Sequence, residues 1–350
     1  MTSGHNNPRD ALEMQVQGVF QDVLGARSIG LEDDFISLGG NSFLAAVAVD
    51  EFERLLGAKI SLNDFLQCGS VARIASLLRT GPLRRSHTVI RLSAGGGGAP
   101  VFAFHPLPGT VLCYQPLADA LGDDHTVWGL QSPGIESDDP LATDIETMAA
   151  TCVAAVRQQV TVGRWHLVGY SMGGLIAFEA ARQLRLAGED VGHVGLIDTP
   201  FPTKDLPPPG AVIRTNAIRT IAQFILRVDV DAAEMAELSH RDQITRLVGL
   251  GVAAGTLPPD YDATHLERWL RVRIANRTAE SAYRPTAYPG PVTVYRARAA
   301  GDYIGQSRWR RIAGEISVVD VDAEHLHMLN HPYVDQISVP LTRALGEADR

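Results

Sequence analysis

Gly169-Tyr170-Ser171-Met172-Gly173 is the stretch of this chain best suited to covalent chemistry. A serine with a glycine two positions to either side fits a sharp turn from strand to helix that holds the hydroxyl out at its apex. The flanks agree. The apolar run Trp165–Val168 has strand length, and the segment after Gly173 is rich in Ala, Leu, Gln and Arg until Gly188, a residue suited to ending a helix. Glycines lack Cβ atoms, so strand and helix can approach closely while Ser171 takes up a strained backbone. The chain has 33 glycines in 350 residues, and at that frequency the pattern arises by chance in roughly one such chain in five. The serine therefore needs partners.

A serine hydroxyl is a poor nucleophile at neutral pH and requires a base within hydrogen-bond reach, oriented by a carboxylate. In a parallel α/β sheet such groups sit at the carboxyl ends of strands. Eleven histidines are available. His105 follows the apolar run Val101–Phe104 and precedes Pro106, a place for shaping a loop, while His166 and His193 fall inside apolar runs and read as structural. The last apolar run, Ile316–Val321, leads into Asp322-Ala323-Glu324-His325-Leu326-His327, so position favours His325 and His327 equally as the base. For the acid, Asp198 ends the run Val191–Ile197 directly after the serine's helix, and Asp302, beyond the run Pro291–Tyr295, is its rival. The plainer reading of Asp198 is a turn or cap before Pro200. An oxyanion needs two converging N–H donors. Met172, at a helix start, supplies one. The other comes from His105-Pro106-Leu107-Pro108-Gly109, where both prolines lack an N–H and Leu107 is the natural donor.

A second hydroxyl of interest lies far upstream, in Asp34-Phe35-Ile36-Ser37-Leu38-Gly39-Gly40-Asn41-Ser42-Phe43-Leu44. On structural grounds Asn41 or Ser42 caps a helix, the glycines make the turn, and Phe35 and Leu38 anchor the loop. On chemical grounds Ser42 offers a hydroxyl at a helix N-terminus, where a phosphate is electrostatically favoured.

Helical apolar spacing at Leu12, Val16, Val19, Phe20 and Leu24, a helix from Ser42 to Leu56 and another from Cys68 to Leu78 make residues 12–80 a small helical bundle. Residues 81–86 are a linker. The run His87–Leu92 is expected to pair as a hairpin with Val101–His105 across the Gly-rich stretch between them. Further strands at Thr126–Leu130 and at the runs named above alternate with helices. One of these covers Thr143–Gln159, with Thr143 as N-cap and Glu146 completing a capping box, and the last runs from Pro332 to Leu345. Such alternation means a mostly parallel α/β sheet. It is interrupted at about 199–288, where no strand is convincing and helices are expected near 212–228, 241–252 and 263–283, a lid over the sheet's carboxyl edge.

Composition sets outer limits. With 45% hydrophobic residues the chain can bury a sizeable core, and its net charge of −9 argues against a nucleic-acid partner. No apolar run reaches membrane-spanning length, and the polar start lacks a signal peptide's hydrophobic region, so the cytoplasm is the expected location. Three widely spaced cysteines, Cys68, Cys113 and Cys152, suggest neither a disulfide framework nor a metal site, and read as small buried hydrophobes.

Asp33-x-Phe-x-x-Leu-Gly-Gly-Asn-Ser42 on the second helix of a small bundle resembles the phosphopantetheine attachment site of peptidyl carrier domains of nonribosomal peptide synthetases. That resemblance implies 4′-phosphopantetheine on Ser42, installed by a phosphopantetheinyl transferase. Phe104-His105-Pro106-Leu107-Pro108-Gly109, Gly169–Gly174, Leu196-Ile197-Asp198 and Glu324–Leu329 are similar, in order and spacing, to the type I thioesterases that terminate these synthetases. This second resemblance implies an α/β-hydrolase fold with a helical lid, preceded by a four-helix carrier bundle, and names Ser171 as nucleophile, His325 as base and Asp198 as acid. The family often has Gly two residues before this histidine, where the present chain has Ala323. The boundaries implied are a carrier at 8–80, a linker at 81–86 and a thioesterase at 87–350, with upstream synthetase modules and a peptidyl substrate as partners. Two other readings are a polyketide or fatty-acyl releasing enzyme with the same triad, against which Leu-Gly-Gly-Asn-Ser weighs, and a catalytically silent carrier module, against which the intact Ser, His and Asp set weighs.

Overall fold

The computed structural model describes residues 8–40, 42–58, 60–80, 88–202, 210–257, 259, 261, 263–298 and 306–350. By compactness the chain divides into two units, one formed by 1–87 with 214–270 and the other by 88–213 with 271–350.

The first unit opens with four helices: α1 (Ala11–Leu24), α2 (Ser42–Leu56), α3 (Leu62–Cys68) and α4 (Val71–Thr80). The Asp10 carboxylate accepts the Glu13 N–H to start α1, and Gly25 ends it in the left-handed region. Phe20, Phe35, Phe52 and Phe65 are fully buried between the helices. Phe35 sits edge-on to Phe20 and to Phe65, each with ring centroids 4.9 Å apart. Phe35 enters this core from the loop before α2, and its N–H donates to the Gly69 carbonyl at 2.7 Å. Leu38 stays partly exposed, so the loop is anchored by Phe35 rather than by both. The helix expected over Cys68–Leu78 is α4, which begins at Val71 because Gly69 turns the chain at φ 67°, and it is preceded by the separate short helix α3.

The second unit begins with β1 (Val89–Arg91), β2 (Val101–Phe104), α5 (Gln115–Ala120), β3 (Val127–Leu130), α6 (Ile145–Arg157), β4 (Trp165–Tyr170), α7 (Met172–Leu186) and β5 (Val191–Ile197). The lid segment follows as α8 (Gly210–Thr220), a π-helical turn (Ile221–Leu226), α9 (Ala232–Glu237), α10 (His240–Ala253) and α11 (Thr264–Ala282). Then come β6 (Tyr288–Ala297), α12 (Gln306–Trp309), β7 (Ala313–Val321) and α13 (Asp335–Ala348). Lid residues 214–270 cluster with the helical bundle, where His265 of α11 pairs with Asp50 of α2 at 2.8 Å.

The seven strands form one sheet in the order β1-β3-β2-β4-β5-β6-β7. All pairings are parallel except that of β1 with β3. Apolar side chains cover both faces: Phe102, Phe104, Trp165, Leu175 and Phe178 on one, Val101, Tyr114, Val168, Ile197 and Leu341 on the other. This is why β2 and β4 read as continuous apolar runs. The hairpin expected between β1 and β2 does not form. The Gly-rich stretch instead lies along 123–127, with the Gly96 and Gly97 amides donating to Asp123 and Asp124 carbonyls. A Cβ on Gly95 would lie 2.5 Å from the His125 carbonyl oxygen, so this approach excludes any larger residue. The cap of α6 is Asp144, which accepts the Thr147 N–H, one residue beyond the expected Thr143.

Parallel register sets the strand ends side by side. Phe104 aligns with Gly169, Tyr170 with Ile197, Ile197 with Tyr295, and Ala297 with Val321. The residues that follow β2, β4, β5 and β7 therefore share one edge.

Candidate active site

Ser171 lies between β4 and α7 with φ 55° and ψ −128°. This conformation costs about 1–3 kcal/mol for a residue other than glycine. The surroundings enforce it. The Ser171 N–H donates to the Ile197 carbonyl at 2.8 Å. A Cβ on Gly169 would lie 2.1 Å from the Gly173 oxygen, and one on Gly173 would lie 2.2 Å from the Phe104 oxygen, so both positions require glycine.

Asp198, at the end of β5, is fully buried with φ 42°. Its N–H donates to the Tyr295 carbonyl at 2.7 Å. Of its two carboxylate oxygens, Oδ1 accepts the Ala297 N–H at 3.0 Å and Oδ2 lies 2.6 Å from His325 Nδ1. A buried carboxylate in this setting accepts, so Nδ1 carries the hydrogen and Nε2 is left with a free lone pair. His325 begins a 3-10 turn, His325–His327, beyond β7. Tyr170 holds it in place twice: its hydroxyl donates to the His325 carbonyl at 2.6 Å, and the two rings stack with centroids 4.9 Å apart. Burial raises the pKa of the Tyr170 phenol well above its ordinary value, so it remains a donor. Because Tyr170 immediately precedes Ser171, the imidazole is set beside the elbow.

The loop after β2 forms a turn in which Gly109 N–H donates to Pro106 O at 2.9 Å. Leu107 lies in this turn, and among the described residues nothing accepts its N–H. Met172 opens α7, where the first amides have no intrahelical acceptor. His105 is buried, and burial pushes its pKa down to about 4, so the ring is neutral. Its Nδ1 lies 3.1 Å from Pro106 O, an acceptor only, which assigns the hydrogen to Nδ1. Tyr114 ties the ends of β2 and β4 together, donating to Phe104 O and accepting the Tyr170 N–H, both at 2.6 Å.

The structure thus brings Asp198 and His325 into direct contact and seats His325 against the residue before Ser171. His327 points elsewhere: it is exposed and lines an open cavity of about 610 Å³ with Arg298, Asp322, Glu324 and Tyr333. Asp302, the rival acid, lies outside the described residues, as do the linker 81–86 and the alternative cap Asn41. The sequence reading passed over Tyr170 and Tyr114, although Tyr170 occupies the second position of the elbow motif itself. Among the described residues no three His, Cys, Asp or Glu side chains gather to hold a metal ion, and no helix is long and apolar enough to cross a membrane.

In the first unit Ser42 is the first residue of α2, two positions after Gly40, which follows Gly39 at φ 96°. No acidic residue occupies the first turn of this 15-residue helix. Without one, this helix N-terminus electrostatically favours a negatively charged group such as a phosphodiester. Phosphopantetheine fits there.

Comparison with known proteins bears on both sites. The profile described as a phosphopantetheine attachment site matches residues 15–78, and the thioesterase domain profile matches residues 99–225. A dimodular nonribosomal peptide synthase of Bacillus subtilis is 28% identical over 349 residues, covering 98% of this chain and 14% of its own length. The crystal structure of a holo four-domain nonribosomal peptide synthetase superposes with a TM-score of 0.68 at 26% identity, covering 98% of this chain and 27% of that one. The Vlm2 thioesterase domain, at 24% identity and TM-score 0.52 over 73% of this chain and 96% of its own, shares the fold of the second unit. The chain spans a small fraction of such synthetases, and that fraction holds two domains in a fixed order. With a phosphopantetheine attachment domain followed by a thioesterase domain of α/β-hydrolase fold, this chain is a carrier–thioesterase didomain, similar over nearly its whole length to parts of nonribosomal peptide synthetases.

Proposed function

We propose that this chain receives a peptide held as a thioester on Ser42 and releases it through Ser171. The observation that carries the proposal is the 2.6 Å pairing of Asp198 with His325, whose ring stacks on the neighbour of Ser171. The phosphopantetheine arm on Ser42 supplies the thiol to which the acyl group is bound.

His325 Nε2 takes the Ser171 hydroxyl proton as Oγ bonds to the thioester carbonyl carbon, while Asp198 stabilises the imidazolium. The Leu107 and Met172 N–H groups hold the resulting oxyanion. Collapse breaks the carbon–sulfur bond, and His325 returns the proton to the departing sulfur. This leaves an ester on Ser171. Water, or a nucleophile within the peptide, then attacks this ester, giving its proton to His325, which passes it to Ser171 Oγ as the carbon–Oγ bond breaks. Supporting assignments are a carrier at 8–80, a linker at 81–86, a thioesterase domain at 87–350 and a lid at about 199–288. A phosphopantetheinyl transferase would install the arm from coenzyme A, and upstream condensation and adenylation domains would load the peptide.

A fluorophosphonate probe tests the nucleophile. Wild-type protein should be labelled on the peptide containing Ser171, and Ser171→Ala should not react. Labelling of the variant at the wild-type rate, or of the wild type at another serine, would defeat the assignment.

A further inference from the structure

Asn276 lies on α11, 169 residues from the loop it touches. It is 1% exposed, and its Nδ2 donates to the Leu107 carbonyl at 3.0 Å. Without Asn276 this partly buried carbonyl would lose the side-chain donor that fixes its direction.

Leu107 sits between two peptide planes, and each is held. The plane before it ends in Pro106 O, which receives Gly109 N–H and His105 Nδ1–H. The plane after it ends in Leu107 O, which receives Asn276. Peptide planarity makes the Leu107 N–H point opposite Pro106 O, so both φ and ψ of Leu107 are set by these contacts. One helical turn before Asn276, Val272 packs on the same loop: a Cβ on Gly109, which has φ 90°, would lie 2.6 Å from Val272 Cγ1. Val272 and Asn276 thus form one face of α11 seated on the turn from which Leu107 donates.

We infer that Asn276 is a positioning residue for the oxyanion donor. It transmits the seating of a lid helix to the Leu107 N–H without touching substrate. The inference rests on the proposed role of Leu107 as donor. Its consequence is specific: loss of the contact weakens binding of the oxyanion and leaves ground-state binding alone.

The test uses the full chain with a small acyl thioester, comparing wild type, Asn276→Ala, Asn276→Asp and, as a control on the same helix, Thr278→Ala. Four quantities are read: kcat, KM, the inhibition constant of a boronate that forms a tetrahedral adduct on serine, and thermal stability. Removing a single oxyanion-hole donor costs about 10²–10³ in kcat, so a displaced one should cost about 10–100-fold. Both Asn276 variants should lose that factor in kcat and lose boronate affinity in parallel, with KM near wild type, while Thr278→Ala keeps all three. Unchanged kcat and boronate affinity in folded variants would overturn the inference, as would a loss confined to KM. Unfolding of both variants at the assay temperature would also overturn it, by making Asn276 a stability residue. Ser171→Ala separates the two claims: if it still turns over, the reading of the site fails, whereas an inactive Ser171→Ala beside unaffected Asn276 variants defeats only this inference.

Discussion

Both oxygens of the Asp198 carboxylate are committed, one to the Ala297 N–H and one to His325. This leaves the imidazole one orientation and one tautomer. His325→Ala should therefore lower kcat by on the order of 10⁴–10⁶-fold, as loss of the base does in a serine triad. His327→Ala, in an exposed side chain, should leave kcat near the wild-type value, and steady-state hydrolysis of a model thioester checks both. The reverse ranking would exchange the two roles. Strand-end position was enough to bring both histidines forward, since both follow β7. It could not separate them, because a 3-10 turn directs one toward Asp198 and the other toward solvent, and nothing in Glu324-His325-Leu326-His327 encodes that difference. Asn276 left no trace in the sequence at all. An Asn within a long helix has no local signature when its partner is 169 residues away.

Among the elements, β5 carries a consequence for stability. His193 is buried in it, and burial pushes its pKa down to about 3 from an ordinary 6.5; His105 after β2 falls likewise to about 4. Between those values and 6.5 the unfolded chain binds protons that the folded chain refuses. Stability should therefore rise with pH through this window, be complete above about 6.5, and be lost as the pH falls toward 4 and 3. Across its window His105 contributes on the order of 3 kcal/mol and His193 on the order of 5 kcal/mol. Denaturant midpoints measured from pH 7 to pH 4 should decline steeply for the wild type and less steeply for His193→Gln, which has no such group to protonate. An identical slope in both would contradict the assignment. The strands and helices themselves were largely readable, since β2 and β4 are short continuous apolar runs, α7 has helical composition up to Gly188, and α2 begins and ends where the pattern does. The partner of β1 was not, because strand pairing is non-local: the Gly-rich stretch that resembles a hairpin turn is needed to pass close to His125. The break between α3 and α4 came down to the single left-handed residue Gly69.

At the scale of the whole molecule, two serines at helix starts belong to two domains in a defined order, and that order was legible from two short motifs. The grouping of lid residues 214–270 with the helical bundle was not. It depends on packing between segments far apart in sequence, such as Asp50 with His265, and neither residue is unusual in its own helix. The central claim is that one acyl group occupies Ser42 and then Ser171. The direct test is single-turnover mass analysis of the intact chain, loaded on Ser42 with an acyl-pantetheine by a phosphopantetheinyl transferase. In the wild type the acyl mass should disappear with release of acid or cyclised product. In Ser171→Ala it should persist on the Ser42 peptide far beyond the wild-type turnover time, and Ser42→Ala should never gain it. Loss of the acyl group from Ser171→Ala at the wild-type rate, or loading that survives Ser42→Ala, would contradict the account.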